Sequence, residues 1–308
     1  MVNMTESDSI KEKTAAALGI FDGVHCGHRL VISSALKYKG LAPAVFTFRT
    51  ESVSFKHGRP FEYIYTNEHK LRILEKLGIK YALSPDFSAL QDMDGEEFAR
   101  EILCGKMNVG AVVCGENFRF GKNASCGTDE LKRLGEKYGF EVAVIKLSEN
   151  GFSSEKYRAM LREGKVHETY SLGCGMYSVY GEVVEGNRLG RTLDFPTINQ
   201  IFGEKQLVPR KGVYHTLTDI DGKTYNSITN IGVKPTVEKN IKPLAETHIL
   251  DYSGDLYGRK IEVGFVGFVR DEKKFGSVEE LKKQVFADIA YVRQQTEGMA
   301  MQKPAGKE

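Results

Sequence analysis

The feature that most constrains the fold is a change in the spacing of apolar residues near residues 173–175. Before it, short apolar runs at residues 15–21, 42–48 and 111–114 alternate with segments of helical spacing. Strand–helix alternation predicts a doubly wound α/β fold, a parallel sheet covered by helices on both faces. Such sheets bind ligands beyond the carboxyl ends of their strands. The segment that begins at Asp22 follows the first predicted strand, so we expect a binding site there.

After this change the chain shows short strands separated by glycine-rich turns. Their regular spacing predicts a small antiparallel β-barrel. The strands are expected at residues 177–184, 212–217, 227–231, 245–250 and 261–265. A C-terminal helix should follow, with Ser277 and Glu280 as its capping box. One face of this helix carries Val278, Leu281, Val285, Ile289 and Val292. We expect domains at residues 1–168 and 169–298, followed by a tail at 299–308.

Composition excludes several classes of protein. With 41% apolar and 27% charged residues among 308, the chain is typical of globular proteins. Its net charge of +2 argues against a nucleic-acid partner. A membrane span is not expected, because no run of about 18 apolar residues occurs. The five cysteines are widely spaced and form no CxxC pair, so a reducing cytoplasm is the expected location.

The segment 19–28, GIFDGVHCGH, joins the first predicted strand to a helix. His25 and His28 are three residues apart, so at a helix start they face the same way. A helix N-terminus favours anions, and the absence of a side chain at Gly27 lets a phosphate approach the backbone. Two imidazoles there can stabilise charge on an attacked α-phosphate.

Two other interpretations of this segment remain open. The histidines can be ordinary helix-start residues, and His25, Cys26 and His28 can be metal ligands, although no further Cys/His cluster lies nearby in the sequence. The preceding strand and the Phe-Asp-Gly sequence favour the nucleotide-binding interpretation over both.

This segment resembles the HxGH nucleotidyltransferases, and more closely the FAD synthetase domain of bacterial bifunctional riboflavin kinase/FAD synthetases. Residues 115–121 (GENFRFG) and 152–158 (FSSEKYR) resemble that family's GxxFxFG and ISSTxxR segments. The resemblance implies nucleotide contacts at Gly23 and Gly27, and that His25 and His28 contact the phosphates of ATP. It also implies that Asn117 lies near the flavin phosphate or a metal, and that the triphosphate is held by Ser153, Ser154 and Arg158.

The chemistry of the last cluster is plausible without the resemblance. Serines at a helix start donate hydrogen bonds to phosphates, and Arg158 lies four residues after Ser154, on the same helix face. A plain N-cap with a solvated arginine is an equally good interpretation of these residues alone.

Residues 186–191 form a glycine-punctuated basic loop that can cradle a phosphate. The segment 195–199 follows, and if it is extended, Thr197 and Asn199 project to one face. Their hydroxyl and amide oxygens suit Mg²⁺ that carries ATP. An ordinary polar turn is the alternative. Glu246, on a predicted strand, is the candidate base, and a solvent-facing glutamate is its alternative.

These residues resemble riboflavin kinase closely. Residues 186–199 read GNRLGRTLDFPTIN, against a family pattern of GxxxGRxLGFPTAN, and 230–232, 235–236, 246–248 and 255–258 follow in the family's order. The resemblance implies that Thr197 and Asn199 bind Mg-ATP and that Glu246 is the base acting on the ribityl 5′-hydroxyl. It also implies binding roles for Gly186, Gly190, Arg191, Asn230 and, near the flavin, Arg270.

The sequence therefore predicts a bifunctional enzyme with riboflavin, FMN and ATP as substrates and Mg²⁺ as the metal. The second domain converts riboflavin to FMN, and the first converts FMN to FAD and pyrophosphate. One alternative is a single-activity kinase, suggested by Glu155 and by the absence of the family's Pro-His-Pro sequence at residues 49–52. The other is a non-catalytic flavin or nucleotide sensor.

Overall fold

Six parallel strands form the sheet of the N-terminal part of the chain, in the order β1-β6-β3-β2-β7-β8. The computed structural model describes residues 1–301 except 6–7, 54, 57–58, 147–152, 187–194 and 235–241. The strands of this sheet are β1 (Val2–Met4), β2 (Thr14–Leu18), β3 (Ala42–Phe46), β6 (Tyr81–Leu83), β7 (Val109–Gly115) and β8 (Glu141–Ile145). A separate antiparallel pair is formed by β4 (Phe55–Lys56) and β5 (Arg59–Pro60).

Helices cover both faces of this sheet, as predicted for a doubly wound fold. Helix α1 packs against β2, β3 and β7. The opposite face, with Ala16 and Leu18 of β2, shares a core with the π-helix and α5. The helices of this part are α1 (Cys26–Ala35), α2 (Asn67–Lys76), α3 (Phe87–Leu90), α4 (Gly95–Glu97), a π-helix (Phe98–Lys106) and α5 (Thr128–Tyr138), with 3-10 turns at Thr50–Ser52 and Lys122–Ala124.

The first predicted strand is shorter than its apolar run. Strand β2 ends at Leu18 rather than at residue 21, because Phe21 has a φ of 52° and turns the chain out of the extended conformation. Strand β3 likewise ends at Phe46 rather than at residue 48. The N-terminal strand β1, which the polar sequence of residues 1–13 did not indicate, pairs with β6 at the edge of the sheet.

Six antiparallel strands form the second sheet, in the order β10-β13-β12-β11-β14-β9. A bridge between Val184 and Asn199 joins its two ends, and the Gln200 amide donates to the carbonyls of Gly181 and Ile261 across the same seam. The predicted barrel is thereby confirmed. Its strands are β9 (Ser178–Glu182), β10 (Thr197–Ile201), β11 (Gly212–Ile220), β12 (Lys223–Lys234), β13 (Lys242–Ile249) and β14 (Lys260–Arg270).

Helices α6 (Ser154–Arg162) and α7 (Val166–Ser171) precede the barrel, and α8 (Val278–Met301) follows it. The predicted cap of α8 is half present: Ser277 accepts from the Glu280 N–H at 3.2 Å, while the Glu280 carboxylate accepts from Gly276. Val278, at the start of the helix, is 46% exposed. Val292 is fully buried in a cluster with Val213, Ile228 and Leu250, and the helix extends past residue 298 into the predicted tail.

The chain divides into two compact units. The first consists of Met1–Tyr157 with Lys205–Leu207, and the second of Arg158–Glu204 with Val208–Glu308. The predicted boundary at residues 168/169 lies further along the chain, within α7. Among the described residues no helix is both long and apolar enough to cross a membrane.

Candidate active sites

The topology of the parallel sheet determines where its site lies. From β2 the chain proceeds to β3 and β6 on one side, and then crosses to β7 and β8 on the other. The carboxyl ends of β2 and β7 therefore flank the topological switch point, where sheets of this class bind ligands. The HxGH segment follows β2, and Asn117 lies in the exposed turn directly after β7.

The two histidines of the HxGH segment meet as predicted. His25 is the N-cap residue of α1, and His28 lies in its first turn, as does Gly27. Their rings stack with centroids 3.6 Å apart and an interplanar angle of 21°, and Phe21 packs edge-on against His28. Among the described residues no group of three or more His, Cys, Asp or Glu side chains could hold a metal ion.

The backbone of this segment is held in one conformation by close packing. Gly23 has a φ of 80°, and a β-carbon there would lie 2.7 Å from Ile64 Cδ1 and 2.8 Å from Tyr157 Cδ1. Only glycine combines a readily adopted positive φ with the absence of a β-carbon. The neighbouring Asp22 is buried, and its carboxylate accepts from the Ile64 N–H at 2.9 Å.

The predicted serine and arginine cluster divides into different local roles. Ser153 accepts from the Lys156 N–H at 3.2 Å, which is an N-cap contact. The Ser154 hydroxyl donates to the Asp22 carbonyl at 3.0 Å, so the start of α6 lies against the HxGH segment. Arg158 is only 5% exposed, so its interpretation as a solvated arginine was wrong, and Glu155 is exposed.

Lys70 is a residue of this site that the sequence reasoning missed. It lies on α2, is 1% exposed, and its ammonium donates to the Phe48 carbonyl at 2.6 Å and the Thr47 hydroxyl at 3.0 Å. A longer contact of 3.4 Å reaches the Ile20 carbonyl. Burial is the largest influence and lowers the pKa of Lys70 to about 7, against the attraction of nearby carboxylates. The available signal in the sequence was helical spacing: Lys70 lies four residues before the apolar Leu74, and so on the same face of the helix.

The second site is a row of polar residues across three neighbouring strands of the barrel. Asn199 of β10 is the register partner of Glu246 on β13, and Glu246 is the register partner of Asn230 on β12. Directly paired residues project to the same face of a sheet, so these side chains lie side by side. The segment 197–199 is extended, as the predicted geometry requires.

Thr197 and Glu246 interact directly. The Thr197 hydroxyl donates to the Glu246 carboxylate at 3.0 Å. Asn199 is 5% exposed, and its buried Oδ1 has no hydrogen-bond partner within the part of the chain that the structure describes. Because buried polar atoms are normally paired, this oxygen is suited to a ligand.

The start of the predicted phosphate loop lies against this row. A β-carbon on Gly186 would be 2.4 Å from Asn199 Nδ2, so the backbone passes directly over the amide. Gly190 and Arg191 lie outside the described residues, as do residues 235–236 of the motif series.

Two cavities border these residues. One of about 370 Å³, of ligand-binding size, is lined by Thr197, Thr247 and residues 252–257. The other, of about 30 Å³, is lined by Glu246, Asn230 and Glu272 among others. Glu272 was missed by the sequence reasoning, since nothing in the local pattern distinguishes it from a surface glutamate.

Arg270 makes a structural ion pair. Its guanidinium binds Asp288 of α8 at 2.7–3.1 Å, and the Asp288 side chain is 5% exposed. The structure thus connects Arg270 to the C-terminal helix. A place for Arg270 near the flavin stays a prediction.

A stacked histidine pair thus lies at the switch point of the parallel sheet, and the Glu246 carboxylate lies beside the smaller cavity of the barrel. The family model for FAD synthetase matches residues 7–155, and that for riboflavin kinase matches residues 174–296. The chain is 32% identical to a bifunctional riboflavin kinase/FMN adenylyltransferase of Bacillus subtilis (strain 168), over 90% of each protein. It is 31% identical to one of Escherichia coli (strain K12), over 97% of each.

The chain therefore belongs to the bifunctional riboflavin kinase/FMN adenylyltransferase family. It is an enzyme with both a kinase and a nucleotidyltransferase domain, and the interpretations as a single-activity kinase or a sensor are not supported. The fold matches a crystal structure described as a macrolide-efflux protein from Streptococcus pneumoniae, with a TM-score of 0.78 and 27% identity over 95% of this chain and 98% of that one.

Proposed function

We propose that residues 169–298 transfer the γ-phosphoryl group of ATP to riboflavin, and that residues 1–168 transfer the adenylyl group of a second ATP to the resulting FMN. The observation that carries the first assignment is the row Asn199–Glu246–Asn230 with Thr197 hydrogen-bonded to Glu246. The riboflavin kinase model matches residues 174–296 and the FAD synthetase model residues 7–155, which supports this assignment of the two reactions to two domains.

In the kinase step Glu246 accepts the proton of the ribityl 5′-hydroxyl as its oxygen attacks the γ-phosphorus, and ADP leaves. A base must be held within hydrogen-bond reach of that proton. Thr197 orients the carboxylate by donating to it. The cavity of about 30 Å³ beside Glu246 has room for a group the size of one hydroxyl.

The nucleotide fits the larger cavity. Its volume of about 370 Å³ is in the range of small-molecule sites, and Ile198, Ile249 and Leu256 give it an apolar wall suited to an adenine ring. Thr197 lines this cavity and also donates to Glu246, which lines the smaller one. The base thus lies between the proposed donor and acceptor positions.

The residues present fit Mg²⁺. The buried Asn199 Oδ1 has no hydrogen-bond partner among the described residues, and the Thr197 oxygen keeps both lone pairs while its hydroxyl donates to Glu246. An amide oxygen and a hydroxyl oxygen are hard ligands of the kind that Mg²⁺ prefers. When bound, the ion would neutralise charge on the ATP phosphates.

In the adenylyl step a phosphate oxygen of FMN attacks the α-phosphorus of ATP, and pyrophosphate leaves. His25 and His28, stacked at the start of α1, stabilise the charge that develops on the α-phosphate. Ser153, Ser154 and Arg158 are proposed to hold the triphosphate, and Asn117 to contact the FMN phosphate.

Two single variants test the assignment. Glu246→Gln should lower FMN formation from riboflavin by on the order of 100-fold or more, because the base is lost, while FMN is still converted to FAD. His28→Ala should lower FAD formation from FMN by on the order of 100-fold and leave FMN formation unchanged. Chromatographic separation of flavins after incubation with Mg-ATP measures both.

Glu182→Gln, at the exposed last residue of β9 in the same barrel, is the matched control and should change neither rate. If one variant abolished both activities while its unfolding temperature stayed normal, two separate sites would be ruled out. The expected location in a reducing cytoplasm stays a prediction; it accords with the five free thiols, and cell fractionation tests it.

A further inference from the structure

The buried Lys70 is not accounted for by the two reactions. It ends beneath the carboxyl edge of the parallel sheet, where it contacts the segments after β2 and β3. Removing a lysine ammonium from water is costly, so such a group is retained only where the fold supplies partners. Here there are three acceptors: the carbonyls of Ile20 and Phe48 and the hydroxyl of Thr47.

The three acceptors match the three N–H donors of the protonated form of Lys70. An ammonium has three N–H donors and a neutral amine has two. The Thr47 hydroxyl, which accepts from Lys70, donates in turn to the Ile20 carbonyl at 2.8 Å. Lys70 and Thr47 therefore hold the carbonyl that lies two residues before Asp22, at the start of the segment that carries His25 and His28.

We infer that the Lys70 ammonium is a positioning residue for adenylyl transfer, which sets the HxGH segment by joining it to the segment after β3. This inference rests on the adenylyl transfer proposed for the N-terminal domain. Asp22 and Glu51 are the carboxylates that attract the ammonium, and His69 is the adjacent titratable group on α2. Misplacing reacting groups by about 1 Å can reduce a rate on the order of 100-fold.

Lys70→Met keeps the apolar stem and removes the ammonium. We expect kcat/KM for FAD formation from FMN to fall on the order of 10- to 100-fold. FMN formation from riboflavin should be unchanged and serves as the internal control within the same chain. Lys76→Met, at an exposed lysine of the same helix, is the matched control and should change neither rate.

The pH profile separates positioning by charge from a merely structural role. Since burial lowers the pKa of Lys70 to about 7, the wild type loses its third N–H donor as the pH rises through this value, whereas the methionine variant has no ammonium to lose. The wild-type to Lys70→Met ratio of kcat/KM for FAD formation should therefore be greatest below pH 7 and decline above it. A ratio that does not change with pH overturns the inference.

Thr47→Val keeps the test decisive if Lys70→Met does not fold. It removes the hydroxyl between Lys70 and Ile20 with little change in volume, and FAD formation should again fall while FMN formation does not. Unchanged FAD formation in either folded variant overturns the inference about Lys70 but leaves the proposed adenylyl transfer standing. If the wild type formed no FAD from FMN and Mg-ATP, the proposed adenylyl transfer would fail, and the inference with it.

Discussion

At the scale of single residues, Gly186 illustrates how a contact can require the absence of a side chain. Its backbone lies against the Asn199 amide, and a β-carbon would come within 2.9 Å of Asn199 Cγ. The glycine was predicted as part of a phosphate loop, for its backbone N–H. The structure adds a steric reason, because the loop can begin beside the proposed metal ligand only if nothing projects from this position.

Gly186→Ala should therefore displace the Asn199 side chain from its place in the row. We expect kcat/KM for FMN formation to fall on the order of 10- to 100-fold, with FAD formation from FMN unchanged. Gly267→Ala is the matched control, since a β-carbon there meets no described atom within 4 Å. Equal rates for Gly186→Ala and the wild type would show that Asn199 is not held by this contact.

At the scale of elements, the barrel contains a chain of buried hydroxyl groups. Thr216 hydrogen-bonds to Ser227 and Thr229, and Thr229 to Thr247, each at 2.8–2.9 Å. All four residues are fully buried. These hydrogen-bonded hydroxyls cross β11, β12 and β13 and end at Thr247, which is next to Glu246 in the sequence. They therefore hold β13, the strand that carries the base, in register.

Thr229→Val removes the middle hydroxyl with little change in volume. It leaves the Thr247 hydroxyl without its Thr229 partner, which should cost about 1–3 kcal/mol of unfolding free energy. Urea denaturation, monitored through the loss of FMN-forming activity, measures this free energy of unfolding for the second unit. Thr224→Val, exposed on the same strand, should change the free energy by less than about 0.5 kcal/mol. Similar losses in both variants would contradict the role of the chain of hydroxyls.

At the scale of the whole molecule, the two reactions are assigned to different parts of one chain. Each unit has a sheet and a core of its own, with His25 and His28 in the first unit and Glu246 in the second. The product of the second unit is a substrate of the first. The activities should therefore be separable by mutation and restored by mixing.

A mixture of Glu246→Gln and His28→Ala proteins should form FAD from riboflavin and Mg-ATP, because FMN released by one can be adenylylated by the other. Neither variant alone should form FAD from riboflavin at more than about 1% of the wild-type rate. Flavin chromatography over time measures this. If each protein kept its remaining activity and the mixture still formed no FAD, the product of the kinase site would not be reaching the second site through solution.

The sequence by itself determined the two fold classes and the identity of most candidate residues. Alternating strand and helix periods predict a parallel sheet, and short strands with glycine-rich turns predict a barrel, because side-chain periodicity is a local property of the backbone. The pairing of His25 with His28 was accessible for the same reason, since residues three apart at a helix start face one way.

Only the tertiary structure decided which distant residues meet. The register that aligns Asn199, Glu246 and Asn230 depends on pairing among three strands, and the burial of Lys70 depends on segments about 20 and 50 residues away along the chain. The end of β2 at Leu18 likewise depends on the packing that holds Phe21 at a positive φ. Such contacts leave no periodic signal, because they are set by the packing of whole elements and not by the spacing of residues within one.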